Sequence, residues 1–348
     1  MTPALAVDIV ERRYPVEFTG SAGEYFRIWI VNLVLTIITL GIYSAWAKVR
    51  KRRYFYAHTR IDGEGFEYRG NPLAILKGRL IAVGLFTVFI MAGEFFPELR
   101  PDGPLAKVLL FGIFIVVGPW LIVKSLKFNA YNTAYRNVRF HFLGTYGTCF
   151  KTVIRYIWYT LTGLLYPYFK HQMVKYAAEN HAYGTTRFDV ADFKTPFIHA
   201  YAVAFGLGFL GAIAMGIFGA FSSVSPSSGV PPGLFILAIY GGFFLLFGFV
   251  RARTMNAVWN AIRVGPVRCE SSLNAGEFIW LYFSNLVAIL FTLGLATPWA
   301  VIRMLRYRAE KFAVMASGPL DGYAQAEAEH VGAAGEEVGE MLDIDVAL

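Results

Sequence analysis

The sequence predicts an all-helical integral membrane protein: duplicated helical hairpins with Gly/Pro-broken or re-entrant segments between them, and short β elements in basic loops. Three observations carry that expectation. The 348 residues are 56% hydrophobic and only 16% charged, against about 45–50% and 25% in an average soluble chain. Several apolar stretches approach or exceed the 20 or so helical residues that span a hydrocarbon core. The charge is basic, 32 Lys and Arg against 24 Asp and Glu for a net +8, as suits a chain facing the anionic inner side of a bilayer. A disordered, collagenous or disulfide-stapled chain is excluded, since the two cysteines, Cys149 and Cys269, frame nothing.

Four stretches read as membrane-crossing helices. Residues 78–96 and 105–123 flank a Pro-rich turn over 97–104, and residues 199–221 and 233–250 flank a Ser/Pro/Gly loop over 222–232. Three further stretches, 28–47, 156–169 and 278–302, are less regular. The middle one offers 14 uncharged residues between Arg155 and Lys170, roughly 21 Å of helix at 1.5 Å per residue and too short to cross.

These three stretches repeat one another. Aligned on Gly41, Gly163 and Gly294, they carry Trp46, Tyr168 and Trp299 five residues on. Arg53-Tyr54, Lys175-Tyr176 and Arg306-Tyr307 then follow at twelve and thirteen. The outer copies share Asn32 and Asn285, and Thr39-Leu40-Gly41 matches Thr292-Leu293-Gly294. Glycine inside an apolar run, with Pro167 or Pro298 four residues later, predicts a broken helix. A second repeat follows each basic end: Phe66, Phe140 and Phe188 lie thirteen residues after Arg53, Lys127 and Lys175, each in a short strand beyond a polar turn. The repeats divide the chain into a membrane domain over 1–316 (copies at 25–150 and 151–276, a partial third at 277–316) and an acidic tail over 317–348. That tail holds eight carboxylates and no Lys or Arg, a composition expected to be disordered.

Phe18-Thr-Gly20, Gly23-Glu-Tyr-Phe26, Trp29-Ile-Val-Asn32, Thr39-Leu-Gly-Ile-Tyr43, Trp46-Ala-Lys48 and Arg50-Lys-Arg-Arg-Tyr54 together resemble the YjgN-like family of bacterial inner-membrane proteins. The likeness covers roughly residues 14 to 315. It implies a multi-pass protein of the bacterial inner membrane and supplies no catalytic or binding residues.

Charge orients the chain. Segments 48–77, 124–151, 170–198 and 251–276 hold eight, five, four and four Lys or Arg, while the tips 97–104 and 222–232 hold one and none. If the three broken segments are re-entrant, every basic loop and the C-terminus lie on the cytoplasmic side; if all seven segments span, the basic loops are divided between the two sides.

Candidate functional residues fall into three sets. Asn32, Thr36, Thr39, Arg155, Asn285 and Thr292 are polar groups at membrane depth that could line a solute path or bond to backbone freed by the breaks. Trp46, Lys48, Arg50, Lys51, Arg52, Arg53, Tyr54, Lys175, Tyr176, Arg306 and Tyr307 read as a lipid-facing basic and aromatic set that would engage anionic membrane lipids. Ala204, Gly208, Ala212, Gly216 and Ala220 form a small-residue stripe for close helix packing, leaving room for a homo-oligomer. Gly206-Leu-Gly208-Phe-Leu-Gly211 lies inside an apolar run and lacks the strand–turn–helix context of a nucleotide site. The histidines have no metal-ligand spacing. No catalytic set, metal, cofactor or nucleic-acid partner is expected. Two functions stay open: a transporter or channel-like protein for a small solute or lipid, and a non-transport protein that organises lipid or a partner through its basic aromatic face.

Overall fold

Four tight turns organise the chain. In the computed structural model, which describes residues 11–96, 103–161, 163–224 and 232–331, strands β2 (Thr59–Ile61) and β3 (Glu64–Tyr68) are joined by Asp62-Gly63. Strands β4 (Thr133–Tyr135) and β5 (Val138–Phe142) are joined by Arg136-Asn137. Both central residues have positive φ in each turn, 52° and 77° in the first and 47° and 63° in the second, the type I′ geometry that matches strand twist. The turns between β6 (His181–Tyr183) and β7 (Thr186–Val190), and between β8 (Ile262–Val264) and β9 (Val267–Ser271), use Gly184 and Gly265 at φ 57° and 56°.

Two single strands complete the set, β1 (Arg12–Phe18) and β10 (Phe312–Ala316). Every strand pairs antiparallel with its sequence neighbours, and β1 pairs with both β2 (Val16↔Ile61) and β10 (Arg12↔Ala316), closing a ten-stranded barrel. The expectation of an all-α fold is thereby overturned. The strands are three to seven residues long, and all the pairings outside the four turns join segments separated by helices, so no local pattern announces a sheet.

Alternate strand residues face inward and fill much of the ring. Phe66, Phe140 and Phe188, at the shared thirteen-residue spacing, pack there with Tyr135 and Tyr183; the Phe66–Tyr135 and Phe140–Tyr183 centroids are 4.9 and 5.1 Å apart. The Tyr183 hydroxyl donates to the Tyr135 carbonyl at 3.0 Å, and the Tyr135 hydroxyl to the Ile61 carbonyl at 2.9 Å. The buried phenols thus tie successive hairpins together while satisfying their own polar atoms.

In an up-and-down barrel successive connections lie at opposite ends. The four turns therefore share one end, and five helical hairpins share the other. These are α1 (Ala22–Ile38) with α2 (Ser44–His58), α3 (Pro72–Phe95) with α4 (Pro104–Tyr131), and α5 (Tyr146–Tyr156), α6 (Trp158–Leu161) and α7 (Tyr166–Glu179). Then follow α8 (Lys194–Val224) with α9 (Pro232–Ala261), and α10 (Ala275–Phe291) with α11 (Thr297–Glu310). The repeat is thus strand–helix–helix–strand, five times over. Helices of neighbouring hairpins touch in ring order, and α1 meets α11 where the circle closes. The helices over Pro72–Met91, Pro104–Tyr131, Lys194–Ala220 and Leu237–Ala261 are long and apolar enough to cross a membrane. They correspond to the four stretches expected to do so. The turn expected over 97–104 and the loop expected over 222–232 lie mainly outside the described residues.

Part of the acidic tail is folded. Residues 320–331 form a helix, α12, that lies across the turn end of the barrel, while 332–348 fall outside the described residues. Leu320 is buried in the barrel core and Tyr323 stacks near Tyr183 at 6.0 Å. Asp321 pairs with Arg136, which also holds Asp62 at 2.9 Å. Glu327 is 4% exposed and accepts from the Thr185 amide (2.9 Å), the Thr185 hydroxyl (3.0 Å) and the Thr186 hydroxyl. The expected wholly disordered tail therefore does not hold for 320–331: an acidic composition is compatible with order where carboxylates such as Asp321 and Glu327 meet donors.

Burial opposes ionisation of Glu327, but the hydrogen bonds from Thr186 and Thr185 outweigh it and hold the carboxyl below its usual range. A depressed folded-state value means stabilisation that is present above the unfolded pKa, near 4.3 for Glu, and is lost as pH falls through the folded value. Acidification from about pH 5 should release α12, read as rising amide exchange over 320–331. Glu327→Ala should remove this acid dependence and cost about 2 kcal/mol of docking stability. An unchanged exchange profile in the variant would contradict the assigned contact.

Candidate functional site

The helix end of the barrel is built from two kinds of hairpin. In the short hairpins formed by α1–α2 and α10–α11, the first helix ends in a Schellman turn. The Gly41 amide donates to Thr36 carbonyl and the Leu40 amide to Ile37 carbonyl; Gly294 and Leu293 do the same with Ile289 and Leu290. Gly41 and Gly294 take φ 91° and 93°, and the leucines before them also take positive φ, as this turn requires. Leu40 and Leu293 are each 94% exposed at the apex. The central hairpin turns at Gly163, φ 64°, and Pro167 and Pro298 each sit in the first turn of the returning helix, where a missing amide donor costs nothing.

Of the six polar residues expected at membrane depth, four bond within the outer short hairpins. Thr39 Oγ1 donates to the Leu35 carbonyl at 2.7 Å and accepts from the Tyr43 amide at 2.9 Å, while Thr292 bonds Ala288 and Ala296 with the same distances. Thr36 Oγ1 donates to the Asn32 carbonyl at 2.6 Å. Asn285 bridges its hairpin, Nδ2 donating to the Ala300 carbonyl at 3.2 Å and Oδ1 accepting from Arg303 at 3.2 Å. Asn32 is buried at the matching place, its Oδ1 unpaired. Arg155 lies on an exposed face of α5. Two cavities described below and in the last subsection are lined by none of the six.

The repeated tyrosines, read from sequence as lipid-facing, turn toward the protein. Tyr54 OH accepts from the Ser21 amide at 2.9 Å and lies 3.1 Å from the Ser21 carbonyl. Tyr176 OH donates to the Thr145 carbonyl at 3.0 Å, and Tyr307 OH to the Asn274 carbonyl at 3.2 Å. Ser21, Thr145 and Asn274 are the N-caps of α1, α5 and α10. Each tyrosine therefore clamps the foot of the outgoing helix to the foot of the returning one. Burial pushes the Tyr307 hydroxyl up to about 12, keeping it neutral and able to donate.

Most of the cations beside them are exposed, although Arg306 also donates to the Gly20 carbonyl at 3.4 Å. Lys48, Arg50, Lys51, Arg53 and Arg306 are exposed, and Trp46 is half-buried against Tyr43 at 6.2 Å. Arg52 is engaged with Tyr68 (2.9 Å) and Asn129, and Lys175 with Glu179 (3.5 Å). Burial, and then Arg52 and Arg79 close by, lower Lys48.

A groove of about 480 Å³ opens at the feet of α8 and α9. Asp192, His199, Arg253, Asn256 and Asn260 supply its polar groups and Phe249 part of its apolar wall. The asparagines, absent from the sequence-level candidates, also anchor α9 to the sheet: Ser271 amide donates to Asn260 Oδ1 at 2.6 Å and Leu273 amide to Asn256 Oδ1 at 2.9 Å. His171 is buried between Phe193 and Phe197 with both ring nitrogens unpaired, and burial lowers it. Of the small-residue stripe, Ala204 is buried and Gly208 faces Leu246 of α9, where an added Cβ would come within 3.3 Å. Ala212, Gly216 and Ala220 lie on exposed helix surface.

Residues 13–341 match the family model described as bacterial protein of unknown function (DUF898), and the chain belongs to that family. Over 125 residues it is 35% identical to inner membrane protein YjgN of Salmonella typhimurium strain LT2 and of Escherichia coli K12, and 33% identical to that of Escherichia coli O157:H7. The matched region covers 36% of this chain and 30% of each relative. No solved structure matches. Inner-membrane residence follows from the relatives' names together with the four long apolar helices.

The tyrosine clamps make a quantitative prediction. Tyr54→Phe, Tyr176→Phe and Tyr307→Phe should each cost about 1 kcal/mol, and nearly add in the triple variant because they lie in separate hairpins. Unfolding in detergent with increasing denaturant measures this. Amide exchange should rise at the first turns of α1, α5 and α10, and no change there would remove the clamp from the account.

Proposed function

We propose that this family member is a non-transport membrane protein that gathers anionic lipid on the barrel side of the bilayer through its cationic rim. One observation carries the reading: all five helical hairpins leave from and return to one end of a hydrogen-bonded ring. A bilayer cannot divide such a ring, so every strand hairpin lies on one side and the three short hairpins are re-entrant whatever their depth. Their apical leucines insert into the near leaflet, with Lys48, Arg50, Lys51, Arg53 and Arg306 at headgroup level. Each such cation contributes roughly 1 kcal/mol against an anionic surface. The groove beside Arg253 and His199 offers a further place for a phosphate.

The positive-inside rule puts the ring in the cytoplasm. The solute-path reading is weaker, because four of the six polar groups it needs are engaged within the hairpins.

Topology and lipid preference are tested separately. Cysteines introduced at Glu179 and Arg263 should both react only from the cytoplasmic face, and periplasmic labelling of either would end the one-sided arrangement. In mixed phosphatidylglycerol and phosphatidylethanolamine nanodiscs, native mass spectrometry should find anionic lipid enriched around the protein. Replacing Arg50, Lys51 and Arg53 together with Gln should abolish most of that enrichment. Protein-dependent solute flux across proteoliposomes would instead favour the transport reading.

A further inference from the structure

The barrel interior is open in part at the end nearest the helices. A cavity of about 230 Å³ opens there, walled by inward-facing Val16, Phe18, Ile61 and Phe66 and by Trp259 of α9. Two polar side chains on its wall are already engaged: Thr59 Oγ1 donates to the Phe55 carbonyl at 2.8 Å, and Ser271 Oγ to Asn256 Oδ1 at 2.8 Å. The exception is Arg308 of α11, which lines the cavity and forms no hydrogen bond or ion pair among the described residues. Arg308 keeps surface open to solvent, yet protein crowds it enough to strip part of its hydration. That burial, and then the Arg251 guanidinium, lower its pKa, with Tyr282 opposing. The charged side chain bearing on it is thus a second cation.

An apolar slot closed by an unpaired guanidinium has a complementary ligand. A cation is repelled, and a polar solute would lose hydration against Phe18, Ile61 and Phe66 without gaining partners. The volume is below the 300–1,000 Å³ of ordinary small-molecule pockets, which excludes a two-chain lipid or a nucleotide and suits one slender chain. Arg is the side chain that meets a carboxylate or phosphate with paired donors.

We propose that the barrel mouth binds a single-chain anionic amphiphile, its alkyl chain among Val16, Phe18, Ile61 and Phe66 and its acidic head group on Arg308, with Arg251 adding positive potential. The head group is a carboxylate if the source is free fatty acid and a phosphate if it is a lysophospholipid. This site is separate from the rim that faces bilayer lipid, and the test below needs no bilayer.

The full chain in a neutral maltoside detergent is titrated with dodecanoate, with lauroyl lysophosphatidylglycerol and with dodecanol. Saturable binding of an anionic probe, one per chain and at least tenfold tighter than dodecanol, is expected; whichever anion binds tighter identifies the source. Arg308→Met should weaken the anions at least tenfold and leave dodecanol unchanged, while Arg308→Lys restores most of the preference. A chain-brominated dodecanoate should quench tryptophan fluorescence, and Trp259→Phe should remove the saturable part of the quenching. Dodecanol binding as tightly as the anions, undiminished anion binding in Arg308→Met, or quenching unaffected in Trp259→Phe would each overturn the assignment.

Discussion

Closure of the strand ring is the constraint from which the remaining architecture follows. Arg12↔Ala316 and its neighbours join the two ends of the described fold by main-chain pairing, leaving no open sheet edge. Because every strand runs antiparallel to its neighbours, helical connections occur only at one end and tight turns only at the other. The sidedness of the molecule is thus a property of backbone hydrogen bonding, and the charge distribution agrees with it without having to create it.

On that ring the same unit is used in two lengths. The three short hairpins share a tyrosine clamp at the foot, and the outer two are also fixed at their apex by a Schellman turn. The long ones have no such clamp: α8 and α9 pack on one another, whereas α3 packs at its base on α2. Asn256 and Asn260 replace the phenol at the foot of α9 with amide bonds to β9. Two mechanisms therefore brace helices against the sheet, a phenol at the foot of the short hairpins and paired amides at the foot of the long helix α9.

Much of this was legible in the residues. Helix length follows from apolar run length, and a glycine in a left-handed turn is visible as Gly41 and Gly294 recurring behind Thr-Leu. The thirteen-residue interval to Phe66, Phe140 and Phe188 correctly marked equivalent positions. The barrel was not legible, because Thr59–Ile61 or His181–Tyr183 is a three-residue strand whose partners lie across a helical hairpin. The tyrosines were misplaced for a different reason. A Tyr after Arg or Lys at the end of an apolar segment has the composition of an interfacial anchor, and only the fold reveals that Ser21, Thr145 and Asn274 come within reach of it. Arg308 gave no signal, since its distinction is the lack of a carboxylate nearby, a property of three-dimensional neighbours.

The pairing of β1 with β10 also governs the order in which the protein is made. At about 5–20 residues per second, the ribosome takes roughly 15 to 60 seconds to supply the partner of Arg12, 304 positions later. In that interval β1 is held on one side only, by β2, while the strands and helical hairpins between β2 and β10 are still being made. A nascent chain that inserted one helix in the wrong direction would carry a strand to the far side and could never join its ends. Ring closure thus waits on the last strand made, and the two ends of the barrel join only when every hairpin has returned its strands to the same end of the ring.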